Sequence, residues 1–244
     1  MDFSAPLEFE SPVCRRIYEY VESHGAARPE EVWTALEIDP ERFNHEVAVL
    51  KRDGYLTRDD EGRFRLSMDD GVAEEFEDGG VAFVVRPARQ ADLGGVLGAI
   101  REVTSTRTDI VAESVAEQLD QEDTLLRHNE VETRMFFVAT VEEEVVGWAH
   151  VRTPEVEKLR HTAELTVGVL EEYRRHGIGS HLLQRGLEWG SATGLSKAYV
   201  SLPATNTEGI SFLLGRDWRI EAARQDHYRT DEGLVDEVML AREI

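Results

Sequence analysis

The sequence predicts an α/β protein of the α+β type, built in two parts. Three helical patterns and a pair of short strands come first, an acidic stretch follows, and strands then alternate with helices to the end. The chain has 244 residues, of which 41% are hydrophobic, so it can form one large core or two small ones. We expect an N-terminal domain at 1–67, an acidic linker at 68–80 and a larger domain at 81–244.

The N-terminal part has the spacing of three short helices. Apolar residues repeat every three or four positions from Val13 to Val21, which gives one helical face. Pro29 suits the first turn of a second helix, and Asp39 suits the cap of a third. Residues 55–66 have the pattern of two strands around a turn. The predicted order is therefore three helices and a hairpin.

The acidic stretch from Ser67 to Gly80 contains six acids, no base and three glycines. Like charges repel one another, and the stretch shows no sustained apolar period. We therefore interpret it as a linker, with a short helical piece near Val72 to Phe76.

The remaining residues alternate between strand and helix patterns. The predicted strands are 81–86, 135–141, 145–152, 163–169, 197–202, 218–223 and 235–241. The predicted helices run from about 93 to 103 and over 114–127, 179–193 and 207–214.

The most specific signal is the loop between the strand at 163–169 and the next helix. A strand that turns into a helix through a basic, glycine-containing loop directs several backbone N–H groups at one point. The helix dipole adds positive potential there. Gly177 and Gly179 let the backbone approach an anion closely. The loop therefore predicts a site for a phosphate or diphosphate.

The pattern Arg174-x-x-Gly177-x-Gly179 resembles the acetyl-CoA loop of the GNAT superfamily of N-acetyltransferases, and the element order over 81–244 resembles the whole GNAT fold. The resemblance implies a mixed, mostly antiparallel sheet flanked by helices. It also implies acetyl-CoA as co-substrate and direct acetyl transfer to a primary amine of a protein or small molecule. The cofactor contacts it implies are Val167, Gly168, Val169, Arg174, Arg175, His176, Gly177, Ile178, Gly179, Ser180 and Asn206.

The groups that move protons are left open by the resemblance. Glu164 resembles the general-base glutamate of some GNAT branches in its placement. His150 and His161 are alternatives, because histidine titrates near neutrality. Many GNAT proteins have a tyrosine facing the CoA sulfur where this chain has Leu213, which cannot donate a proton. Tyr228 or water would then serve as the acid, or the thiolate would leave unassisted.

The N-terminal part resembles a winged helix-turn-helix domain over roughly 11–67. Such a domain suggests DNA binding, and with it a CoA-responsive transcriptional regulator. However, residues 1–80 contain nine bases and twenty-one acids, so the basic footprint of a DNA-binding domain is missing. Protein contact, homodimerisation or substrate docking is the alternative role. A further reading is an inactive CoA-fold module used for assembly.

Composition indicates the kind of environment in which the protein works. There are 49 acids against 27 bases, and only three of the bases are lysines, which favours a halophilic protein over a merely acidic one. A single cysteine, Cys14, excludes an internal disulfide, and no metal-ligand spacing occurs. No apolar run reaches the ~20 residues of a membrane span, and the N-terminus lacks signal-peptide features. We expect a cytoplasmic protein.

Overall fold

A large mixed sheet and a small two-stranded sheet organise the chain. The computed structural model describes residues 7–68, 71–106, 110–154, 156, 158–230 and 233–244, and this part contains seven helices and eleven strands.

The N-terminal unit has the predicted order of elements. Helices α1 (Pro12–His24), α2 (Pro29–Ala35) and α3 (Pro40–Arg52) precede strands β1 (Leu56–Arg58) and β2 (Phe64–Leu66), which pair antiparallel. A proline lies in the first turn of each helix, where its missing N–H costs no hydrogen bond. Ser11 caps α1 and Asp39 caps α3 by accepting backbone N–H groups. The predicted helices and hairpin are confirmed as elements.

The larger part begins with strands β3 (Glu74–Asp78) and β4 (Val81–Pro87), then helices α4 (Leu93–Thr106) and α5 (Ile110–Glu122). Strands β5 (Arg127–His128), β6 (Glu132–Val141), β7 (Glu144–Pro154) and β8 (Thr162–Val169) follow. Helix α6 (Ile178–Ala192), β9 (Lys197–Pro203), α7 (Thr207–Leu214), β10 (Arg219–Thr230) and β11 (Gly233–Glu243) complete the chain.

The large sheet is mixed and mostly antiparallel. Its strand order is β10-β11-β9-β8-β7-β6-β4-β3, with β5 paired to β6, and only β8 and β9 run parallel among the described pairs. Helix α6 packs on one face, where Gly186 lies against Val151 and Leu165, and α4 packs on β7 and β8. The predicted fold class is confirmed.

The helical piece predicted near Val72 to Phe76 is wrong, because this stretch contains strand β3. Strand β3 pairs antiparallel with β4, and the Phe76 ring stacks on Phe83 at 5.5 Å between centroids. The acids of β3 are exposed, so the sheet edge carries charge without burying it.

The β3 segment, residues 74–80, lies along α6. Glu74 is 3.7 Å from the Arg185 guanidinium, and the Phe76 and His181 rings are 3.8 Å apart. A Cβ atom at Gly177 would collide with the Asp78 carboxylate. Residues four apart share one side of a helix, so the β3 segment follows a single stripe of α6.

Candidate functional site

Strands β8 and β9 separate after three paired residues. Their parallel pairing runs from Thr162 opposite Lys197 to Glu164 opposite Tyr199, and it ends there. On its other side, β8 stays paired with β7 as far as Val169. In the described strand pairings, residues 165–169 therefore have no partner on the β9 side. A free strand edge of this kind offers backbone N–H and C=O groups to a ligand.

A cleft of about 740 Å³ lies between the separated strands. Its walls combine the free edge of β8, the loop before α6, the start of α6, the end of β9 and the region of α7. The lining residues are Val103, 165–169, Arg174, Arg175, Gly177, Gly179, Ser180, Leu183, 200–202, 206–209, 211–213 and Arg216.

Most of the predicted cofactor residues line this cleft, and two do not. Ile178 is buried in the core beneath the loop. The His176 ring lies against Gly79 of the β3 segment and not in the cleft lining, since a Cβ atom at Gly79 would be only 2.6 Å from His176 Nδ1. Asn206 lines the cleft and also caps α7, since its Oδ1 accepts the N–H of Gly209 at 3.0 Å.

The loop before α6 turns through left-handed backbone at two residues. Arg175 has φ 66° and Gly177, the N-cap of α6, has φ 71°. This turn places the start of α6 at the cleft, and the first N–H groups of a helix have no carbonyl one full turn earlier to accept them. An arrangement of this kind can hold an anion, which is what the sequence predicts for the loop.

Arg216 is a cleft residue that the sequence analysis missed. Its guanidinium donates to Ser180 Oγ at 2.6 Å and to the Phe212 carbonyl at 3.0 Å, and it lies 3.9 Å from the centre of the Phe212 ring. Arg174 Nε donates to the Val169 carbonyl at 2.9 Å. Arg174, Arg175 and Arg216 thus line the cleft together at the start of α6.

Comparison with known proteins identifies this architecture. The model of the acetyltransferase (GNAT) family matches residues 101–215. The chain contains a GNAT acetyltransferase domain. The enzyme class and the acetyl-CoA co-substrate expected from the sequence are thereby confirmed.

Solved structures agree with the GNAT fold at low identity. A GNAT-family acetyltransferase from Streptococcus pneumoniae matches with TM-score 0.54 and 17% identity over 66% of this chain and 99% of that chain. Ribosomal-protein-alanine N-acetyltransferase from Brucella melitensis matches with TM-score 0.54 and 19% identity over 66% and 99%. A proposed acetyltransferase from Salmonella typhimurium, with its cofactor acetyl-CoA, matches with TM-score 0.53 and 16% identity over 66% and 93%. A search of curated proteins gives no match.

The cleft of the GNAT domain fits acetyl-CoA. The free edge of β8 can pair with an amide-containing arm, and the basic start of α6 suits a diphosphate. A Cβ atom at Gly168 would overlap the buried Trp148 ring, so this part of β8 cannot carry a side chain on that face. The three arginines that line the loop end supply the positive charge that a nucleotide requires.

Glu164 lies in the GNAT domain where β8 and β9 part. Its carboxylate is 3.7 Å from Arg152 Nη1 on β7, and 44% of its side chain is exposed. The cleft lining begins at the next residue, Leu165. His161, the other candidate near this point, precedes β8 and is exposed.

His150 is buried on the sheet face that α4 covers. Its ring stacks on Phe136 at 4.6 Å, and both ring nitrogens lack a hydrogen-bond partner in the part of the chain that the structure describes. Burial, with smaller contributions from the charges of Arg134 and Arg152, lowers the pKa of His150 to about 3. The neutral ring therefore has little tendency to accept a proton.

The residues considered for proton return do not offer a donor in the cleft. Leu213 lines the cleft and is buried. Tyr228 lies on β10, outside the cleft lining, and its hydroxyl donates to Glu237 Oε1 at 2.8 Å. Glu237 is also 2.9 Å from Arg224 Nη1, so the tyrosine belongs to a buried polar cluster beside β11.

Among the described residues, no group of three or more His, Cys, Asp or Glu side chains could hold a metal ion, and no helix is long and apolar enough to cross a membrane. Cys14 is buried and donates to the Glu46 carboxylate at 3.0 Å. Burial and this hydrogen bond raise the pKa of the Cys14 thiol to about 11, so it stays protonated.

Proposed function

We propose that this protein transfers the acetyl group of acetyl-CoA directly to a primary amine of a protein or small molecule. The proposal is carried by one observation: the free edge of β8 leads to the basic start of α6 within a single cleft. Acetyl-CoA supplies the acetyl thioester. The chain supplies the surfaces that hold the thioester in one orientation and the groups that move protons.

The residues at the loop end bind the nucleotide part. N–H groups at the start of α6 and the guanidinium groups of Arg174, Arg175 and Arg216 hold the phosphate groups. The backbone of Val167 to Val169 pairs with the amide-containing arm of the co-substrate, and its N–H groups polarise the thioester carbonyl. Only backbone atoms are required there, so these positions can be small and apolar.

Glu164 is the general base in this proposal. It is the acidic side chain of β8 and stands at the parting of the strands, next to the first cleft residue. Its carboxylate takes the proton of the incoming ammonium, directly or through one water. Because Leu213 has no proton to give and Tyr228 is bonded to Glu237, water protonates the thiolate or the thiolate leaves unassisted.

Acetyl-CoA binding and turnover test this function. Titration calorimetry in high salt should show micromolar binding of acetyl-CoA. Release of the CoA thiol should follow when a polyamine, a lysine-containing peptide or a peptide with a free N-terminus is supplied. Glu164→Gln should bind acetyl-CoA as the parent does and turn over more slowly. Absence of binding at micromolar ligand would remove the function, since every other step depends on it.

The N-terminal unit, residues 1–67, enters the proposal as a winged helix, joined by 68–80 to the domain at 81–244, whose sheet is extended by β3 from within the joining stretch. DNA binding, and with it a CoA-responsive regulator, stays a prediction. Arg52 is 2.6 Å from Glu10, and Arg63 in the predicted wing is 2.8 Å from Asp59, so acids neutralise bases that could contact phosphate. Gel shifts with and without acetyl-CoA separate the roles, because a ligand-dependent shift favours the regulator.

Three wider expectations also stay predictions. Salt adaptation would appear as activity that rises with potassium chloride. Homodimerisation would appear as a doubled mass in light scattering at that salt. A cytoplasmic location would appear by fractionation of the source cells.

A further inference from the structure

Helix α1 of the N-terminal unit contacts the GNAT domain through buried charge. Glu22 on α1 lies 2.9 Å from Arg127 Nη1, and its other carboxylate oxygen accepts from Asn129 Nδ2 at 2.9 Å. Beside this pair, Tyr18 donates its hydroxyl to the His128 carbonyl at 2.6 Å. The N-terminal unit is therefore held against the connection between α5 and β6 by side-chain contacts, in addition to the covalent link through the chain.

The charge contact continues into the sheet. Arg127 lies 3.0 Å from Glu122, which is 2.6 Å from Arg134. Arg134 also donates to the carbonyls of Leu125 and Thr124, at 3.1 and 2.8 Å. Burial alone would raise the pKa of Glu122, but the hydrogen bond and charge of Arg134, together with hydrogen bonds from Gln118 and Arg127, outweigh it and lower that pKa.

The same run of charges ends at the proposed base. Arg134 Nη1 is 3.3 Å from Glu132, Arg152 Nε donates to the other oxygen of Glu132 at 2.6 Å, and Arg152 Nη1 is 3.7 Å from Glu164. The pairs alternate in sign without a break from α1 to the parting of β8 and β9. Arg152 thus connects the buried charges to Glu164, at the end of the cleft where the incoming amine would lose its proton, which we call the acceptor end.

Burial makes this run a single unit. The side chains of Glu22, Arg134 and Glu132 are 7%, 1% and 6% exposed. The last pair of the run, Arg152 and Glu164, is 40% and 44% exposed, so the buried part ends at Glu132. A buried charge that loses its partner is strongly unfavourable, so neighbouring charges move or rearrange together. An exposed pair behaves differently: Arg15 on α1 also reaches Glu130 at 2.8 Å, but those side chains are 42% and 77% exposed.

We propose that α1 is a positioning element of the acceptor end, acting on Glu164 through the buried charges from Glu22 to Glu132 and then through the half-exposed Arg152. The proposal rests on the function of Glu164 given above. In it, the N-terminal unit is part of the enzyme: a partner or modification that draws α1 away slows acetyl transfer while acetyl-CoA stays bound.

The test compares two neutral replacements on the same interface. Glu22→Gln removes the buried charge, and Glu130→Gln removes the exposed one. Thiol release is followed with saturating acetyl-CoA and whichever amine of the panel turns over, and acetyl-CoA binding is followed by calorimetry. Misplaced catalytic groups are costly, so Glu22→Gln should lower kcat about tenfold or more. The Kd for acetyl-CoA should not change, and Glu130→Gln should match the parent.

A rescue series supplies a readout that general destabilisation does not give. If Arg152 acts on Glu164 through its charge, Arg152→Gln should lower kcat as Glu22→Gln does, with the Kd for acetyl-CoA unchanged. Arg152→Lys, which keeps the charge, should recover part of the lost kcat. If Glu22→Gln does not fold, Arg127→Lys, which keeps the charge and shortens its reach, takes its place.

The outcomes separate the two proposals. If the parent turns over no amine, or if Glu164→Gln is as fast as the parent, the proposed function of Glu164 fails and the positioning role falls with it. If Glu164→Gln is slow but Glu22→Gln has the kcat of Glu130→Gln, only the positioning role is overturned. A parallel loss of acetyl-CoA affinity in Glu22→Gln would also overturn it, because the effect would then not be confined to the acceptor end.

Discussion

Replacing Arg216 by glutamine tests how the cleft holds the phosphate groups of acetyl-CoA. The guanidinium is held before any ligand arrives by Ser180 Oγ at 2.6 Å, the Phe212 carbonyl at 3.0 Å and the face of the Phe212 ring. A fixed donor loses little conformational entropy on binding. A hydrogen bond to a charged group contributes roughly 1.5–3 kcal/mol, so Arg216→Gln should raise the Kd of acetyl-CoA about 10- to 150-fold.

Arg175→Gln is the matched control at the same end of the cleft. Its side chain is 88% exposed and 3.7 Å from Glu208, so water and a carboxylate already screen its charge. An exposed charge of this kind contributes about 0–1 kcal/mol, so the Kd should rise by at most about fivefold. Both glutamine variants remove one positive charge. They differ in that the Arg216 side chain is fixed by hydrogen bonds, whereas the Arg175 side chain is exposed to solvent.

Calorimetry at low and at high salt measures both effects. The loss in Arg175→Gln should shrink as salt screens the exposed charge, and the loss in Arg216→Gln should persist. Equal losses in the two variants, or an unchanged Kd in Arg216→Gln, would show that the arrangement around Ser180 does not serve phosphate binding.

Three other predictions concern the supports of the site. Gly177→Ala places a side chain in left-handed backbone against Asp78, which costs at least about 1–2 kcal/mol; both the melting temperature and acetyl-CoA affinity should fall, and an unchanged affinity would contradict the proposed loop. Phe76→Ala removes the half-buried ring that contacts His181, so the free energy of unfolding in urea should fall by about 2 kcal/mol, whereas no loss would mean that β3 contributes nothing to α6. Burial lowers the pKa of His150 from 6.5 to about 3. Below pH 6.5 the unfolded chain therefore gains a proton that the folded chain does not, and the free energy of unfolding decreases as the pH is lowered. In His150→Phe the loss of unfolding free energy between neutral and mildly acidic pH should be smaller, and an equal loss would be inconsistent with a buried neutral ring.

Local signals were sufficient for most elements and for the loop. Pro29 and Asp39 indicate helix starts, because proline suits the first turn and aspartate accepts N–H groups as a cap. Gly177 indicates a left-handed backbone conformation, which residues with a Cβ atom adopt at a cost. The predicted loop residues therefore line the cleft where a strand and a helix meet, with His176 and Ile178 as exceptions. Residues 175–179 of the loop lie alternately toward the cleft and away from it. The residue types in the sequence do not show which of them lie toward the cleft.

Contacts between distant residues could not be read from the sequence. Phe76 stands among acids, and its environment is completed by His181, more than a hundred residues later. The strand is paired with β4 and packed against α6, and neither contact is visible in the local residue types. Arg216 meets Ser180 only when α7 packs beside α6. With 49 acids in the chain, no pattern distinguishes Glu22 or Glu132, whose carboxylates are buried and paired, from the solvated majority.

The path of the β3 segment has a practical consequence for dividing the protein. Trp189 Nε1 donates to the Met68 carbonyl at 3.4 Å, so the chain is already in contact with the far end of α6 before β3 begins. A catalytic fragment started at Val81 would leave that side of α6 bare and open the edge of β4 to other chains. A fragment meant to be handled in isolation should start upstream of Met68, even though the acidic stretch looks like the natural place to cut.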